Sequence, residues 1–62
     1  MNEILWNGDN VADITNELGP ALRYTELNPK TWDLTLKTSR STVNVTLGQT
    51  VKHYGAGIIK VI

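Results

Sequence analysis

Few residues in this 62-residue chain have types and spacing that could do chemistry. His53 is the single histidine, and there is no cysteine. A histidine working as a general base needs a serine or cysteine nucleophile beside it and a carboxylate to orient it. Its neighbours Lys52 and Tyr54 supply neither. The sequence therefore predicts an exposed or packed strand histidine, and a protein that is not an enzyme. A structural zinc site takes about four ligands that are mostly Cys or His, so no metal and no cofactor is expected. Asp9 and Asp13, one helical turn apart, could together hold a divalent cation. Capping and the helix dipole account for both carboxylates without one. Gly55-Ala56-Gly57 is a fragment of a glycine-rich loop, but a phosphate loop opens a helix, whereas this one opens the apolar run Ile58-Ile59.

Recognition is the chemistry left. Lys37, Arg40, Lys52 and Lys60, with Tyr54 and Trp32 as flat aromatic surfaces, form the candidate binding set, and Lys30 adds a further cation. Cations with interleaved aromatics can follow a nucleic-acid backbone and stack its bases. The formal net charge is zero, which argues against nucleic acid as the first partner. The charges are nevertheless segregated. Five carboxylates against Arg23 leave residues 1–26 at −4, and five cations against Asp33 leave residues 27–62 at +4. An acidic helix resting on a sheet with a solvated basic face is the plainer account of this; the sharper one is a polarised surface that steers a charged partner more than it adds affinity. Trp6 and Trp32 are expected in the core, because with no Phe they are the largest apolar groups present. An exposed tryptophan would reverse that expectation, since tryptophan is enriched at interaction hot spots.

The elements that must position these groups follow from pattern. Glu3 to Trp6 reads as a short strand closed by the turn residues Asn7-Gly8-Asp9-Asn10. Val11, Ile14 and Leu18 recur at helical spacing, so a helix is expected over residues 10–18. Asp9 or Asn10 would be its N-cap and Asp13 would lie in its first turn. Gly19 suits a positive φ just past its end, and Pro20 stops it. Residues 21–25 read as extended, and Leu27-Asn28-Pro29-Lys30 as a turn. Trp32, Leu34 and Leu36 then alternate with Asp33, Thr35 and Lys37. After a polar turn at residues 38–41, Val43, Val45 and Leu47 resume the alternation, giving an antiparallel hairpin over residues 31–47. Glycine turns separate two more strands, about 50–54 and 58–62, and place Ile59, Val61 and Ile62 in a buried position. The fold class expected is α+β: one short helix packed on a strongly curved antiparallel sheet, or a small barrel, of four to five strands.

Sixty-two residues make a single domain, 1–62, near the lower size limit for independent folding; such a chain buries only about 60% of its unfolded surface. The opening residues carry neither a basic segment nor an apolar run of signal length, so a cytoplasmic protein without membrane contact is expected. Asn44-Val45-Thr46 matches a glycosylation acceptor but reads as strand.

Two resemblances bear on origin and fold. Leu47-Gly48-Gln49-Thr50-Val51 with Gly55-Ala56-Gly57 and Ile58–Ile62 resembles the closing strands of SH3-like barrels, over a quarter of the chain. Leu5-Trp6-Asn7-Gly8-Asp9-Asn10, with the later Leu47–Lys52 segment, is similar to small orphan bacteriophage proteins that open on Trp-x-Gly-Asp and carry a late Pro-Gly-Asp-Tyr turn. Here Leu47, Gln49 and Thr50 replace that proline, aspartate and tyrosine, so no site is carried over. The resemblance implies a viral protein in the host cytoplasm. It would bind a host macromolecule, a protein as first choice, and inhibit or redirect it. The alternatives are a nucleic-acid-binding barrel and a structural or oligomeric viral subunit. An exposed C-terminal edge strand would invite strand addition or self-association.

Overall fold

A computed structural model describes residues 2–62, with the side chain of Asn2 left aside. Its order is strand β1 (Asn2–Leu5), helix α1 (Val11–Leu18), a 3-10 turn (Gly19–Ala21), then strands β2 (Leu22–Leu27), β3 (Leu34–Thr38), β4 (Thr42–Val45), β5 (Thr50–Gly55) and β6 (Ile58–Val61). This is the α+β class expected, with one helix and antiparallel strands. The six strands form two three-stranded sheets, β1-β5-β6 and β2-β3-β4, not one continuous layer. β4 lies close to β6 without a shared ladder, so the barrel stays open. Two side-chain links close that seam: Ile59 N donates to Ser41 Oγ at 3.2 Å, and Thr38 Oγ1 donates to the carbonyl of Gly57.

One core serves both sheets. Trp6, Ile14, Leu18, Leu34, Leu36, Val45, Val51 and Ile59 are buried, with Ile4, Val11, Leu22, Leu27, Val43 and Val61 packed around them. The helix reaches it through Ile14 and Leu18, four residues apart on one face. With only eight residues it depends on that packing. Asn10 precedes the helix but makes no side-chain cap. Its amide instead ties the turn together, donating to Leu5 O at 2.7 Å and accepting from Asn7 N at 3.1 Å. Gly19 ends the helix at φ 60, ψ −144, a region open in practice to glycine.

Three expected core positions are corrected. Trp32 is not on the inward face of a strand: β3 begins two residues later, and Trp32 sits at φ 62 in the β2–β3 loop, 46% exposed. Asn28 organises that loop. Its Oδ1 accepts from Lys30 N at 2.9 Å, its carbonyl accepts from Trp32 N at 2.8 Å, and its own N donates to Asp33 O at 2.9 Å. Leu47 lies beyond β4 in the turn Thr46–Gln49, which Gln49 N closes onto Thr46 O at 2.9 Å with Gly48 at φ 91. Leu47 is therefore about half exposed. Of the terminal apolar residues only Ile59 is buried; Val61 is half-buried and Ile62 is 63% exposed.

Candidate functional site

The turns around the two tryptophans build a concavity whose lining comes from separate parts of the chain. Trp6 follows β1 and is fully buried. Its main chain is held on both sides, with N donating to Gln49 O and O accepting from Gly48 N, both at 2.9 Å. Those bonds bring the Thr46–Gln49 turn, and Leu47 with it, against Gly8. A Cβ on Gly8 would stand 3.3 Å from Leu47 Cδ1, a tight contact, and the φ of 98 at Gly8 is one that residues with a side chain rarely adopt. The indole N–H of Trp6 would be an orphan donor in an apolar core. It donates to Trp32 O at 2.8 Å, which fixes the β2–β3 loop over this end of the core. The result is a cleft of about 290 Å³ lined by Asn7, Gly8, Asp9, Trp32 and Leu47. Its large apolar lining residues are Trp32 and Leu47, and Asp9 is its one charged residue. A second hollow, about 360 Å³, follows Glu26 to Lys30. A single stretch of chain lines it, so nothing converges there.

The candidate binding residues do not form one surface. Trp32 belongs to the cleft just described. Lys37 lies on the outer face of β3, opposite Thr42 of β4 and Tyr24 of β2. Arg40 lies in the β3–β4 turn, at the other end of β3 from Trp32. Lys52, Tyr54 and Lys60 do come together, on the outer face of the β1-β5-β6 sheet. Lys52 and Lys60 are cross-strand partners, and their Nζ atoms stand 5.1 and 5.9 Å from the Tyr54 ring centroid. Glu3, opposite Lys52 on β1, pairs with it at 3.7 Å. The segregation of charge along the chain is thus partly cancelled in space, because an acidic residue of the first half lies on the basic face of the second.

His53 points to the other side of β5. Both ring nitrogens are buried with no hydrogen-bond partner among the described residues. Also among those residues, no group of three His, Cys, Asp or Glu is placed to hold a metal ion, and no helix is long and apolar enough to cross a membrane. On the other sheet, hydrogen bonding to Glu26, then partial desolvation, and last the charge of that carboxylate hold the Tyr24 phenol above its ordinary value.

Sequence pattern missed Leu47 and Gly8 as parts of a site. The one available signal was Gly48 three residues after Val45, which marks a turn and so removes Leu47 from the strand alternation. Compared with protein-family models, curated proteins and solved structures, the chain matches none.

Proposed function

We propose that this chain is a non-enzymatic binding module whose Trp32–Leu47 cleft receives an apolar side chain of a partner protein. The exposed Trp32 carries the reading. An aromatic side chain presents about 200 Å² of surface. Leaving nearly half of that in water forgoes roughly 2 kcal/mol of burial free energy, a large quantity for a domain this small. The left-handed backbone at Trp32 adds about 1–2 kcal/mol of cost for a residue with a side chain. Strain of this kind persists only where surrounding bonds over-determine it, and here Asn28 O and the Trp6 indole hold both ends of the residue. A rigid, half-exposed indole beside an aliphatic wall has the character of an interface anchor, with little ordering entropy lost on binding.

The similarity of the Leu5–Asn10 opening to small phage proteins supports a phage-encoded chain acting in the host cytoplasm. Its partner would then be a host protein that it inhibits or redirects. The test is affinity capture from bacterial host lysate with wild type, Trp32→Ala and Lys37→Gln side by side. The reading expects a protein retained by wild type and Lys37→Gln and lost with Trp32→Ala. Equal retention by all three, or retention by none, would contradict it.

A further inference from the structure

The outer face of the β1-β5-β6 sheet carries a second, chemically different surface. Register places Glu3, Lys52 and Lys60 in one row across the three strands. The adjacent row is Leu5, Thr50 and Ile62, since Leu5 faces Thr50 and Ile62 N donates to Thr50 O at 2.8 Å. Val51 and Ile59 point into the core from the same strands, so these two rows point outward together. Leu5 is 51% exposed, Ile62 63% and Tyr54 55%.

Two features of this face are unfavourable for the isolated chain. Like charges directly opposite on neighbouring strands destabilise a sheet, and Lys52 faces Lys60. Glu3 reaches only Lys52, and among the described residues Lys60 makes no ion pair. The neighbouring aliphatic row remains in water. A ligand that placed carboxylates over Lys60 and Lys52 and aliphatic groups over Leu5 and Ile62 would relieve both at once. We infer that this sheet face binds an acidic amphipathic segment of a partner protein, with Lys60, Lys52 and Tyr54 engaging its carboxylates and Leu5 and Ile62 its apolar side chains. A single-stranded nucleic acid fits less well, because the aliphatic row of Leu5 and Ile62 would have no counterpart along a sugar-phosphate backbone. This inference is independent of the Trp32 cleft, which lies on other loops.

The test is fluorescence anisotropy at low salt with three labelled probes of equal length: an alternating Glu-Leu peptide, its Gln-Leu analogue, and a thymidine oligonucleotide. The Glu-Leu peptide is expected to bind at least about tenfold more tightly than either of the others. Lys60→Gln should weaken it about tenfold, whereas Lys30→Gln, which removes the same charge from the β2–β3 loop of the other sheet, should leave it unchanged. Circular dichroism of each variant reports folding, and Leu5→Thr, which leaves every cation in place, should also weaken the Glu-Leu peptide. Absence of Glu-Leu binding, equal binding of the Gln-Leu peptide, tighter oligonucleotide binding, or an equal loss with Lys30→Gln would overturn the inference.

Discussion

The indole Nε1 of Trp6, in the centre of the core, donates to the main-chain oxygen of Trp32, 2.8 Å away. One tryptophan is fully buried and the other is 46% exposed. The first thus acts as the strut that presents the second.

Removing that donor while keeping most of the ring volume isolates its contribution. Trp6→Phe leaves a part-buried carbonyl partner unmatched and a small cavity in the core, and should lower stability by about 2 kcal/mol. Denaturant melts measure this. Amide hydrogen exchange at Trp32, whose N–H is bonded within the same loop, should accelerate by more than the global loss of stability explains.

Trp32→Ala should behave in the opposite way. The ring fills no core space, so the change should cost less than about 1 kcal/mol. Trp32→Gly, which also relieves the positive φ, should be neutral or stabilising by roughly 0.5–1 kcal/mol. For comparison, Leu36→Ala in the core should cost about 2–5 kcal/mol. A large loss on Trp32→Ala would make its side chain a structural element.

The seam between the sheets depends on Thr38, which is 3% exposed. Its hydroxyl donates to Gly57 O and accepts from Ser41 N at 3.0 Å. Thr38→Val keeps the shape and deletes both bonds, an expected loss of about 1–3 kcal/mol. Gly57→Ala meets two obstacles, a φ of 77 and a Cβ position 2.6 Å from Ser39 Oγ. Gly48→Ala meets only the first, at φ 91 with open space around it. Thermal melts should therefore rank Gly57→Ala as the more damaging of the two, with Gly48→Ala costing about 1–2 kcal/mol.

His53 holds two buried ring nitrogens without partners among the described residues. An apolar replacement of similar size removes an unsatisfied polar group, so His53→Leu should raise stability by about 1 kcal/mol. A loss of stability would mean that the imidazole has a partner.

Tyr24 gives a prediction in pH. Glu26 raises its phenol, so the folded state holds this proton more tightly than the unfolded chain does. The associated stabilisation is complete below the unfolded phenol's titration and is lost as pH rises through the folded one. In an ultraviolet titration one of the two tyrosines should ionise late, and Glu26→Gln should bring it back towards the ordinary range near 10.

Local pattern made much of the fold legible. The 3.6-residue recurrence of Val11, Ile14 and Leu18, stopped at Gly19-Pro20, gave the helix to within a residue, and strict alternation through Leu34-Thr35-Leu36 gave β3 its buried face. The failures came where alternation ran on into a turn. Trp32 and Leu47 both sit in phase with a strand, and both lie two residues outside it, where side-chain bonds of Asn28 and a positive φ at Gly48 redirect the chain. Apolar periodicity is blind to such redirection. The division into two sheets was also hidden, because β4 and β5 are joined by a short turn that a hairpin would use equally well. The Lys52–Tyr54–Lys60 grouping was readable in part. Lys52 and Tyr54 share a strand face, but Lys60 joins them only through the β5–β6 register. Lys37 and Arg40 share their charge sign and not their location.

The Trp32–Leu47 cleft is proposed as a protein-docking site. A photo-cross-linking residue at position 47, compared with the same residue at position 40 at the far end of β3, tests it directly in host lysate. A discrete protein adduct is expected from position 47, absent from position 40 and lost when Trp32→Ala is added. No adduct from position 47, or one that survives Trp32→Ala, would contradict it.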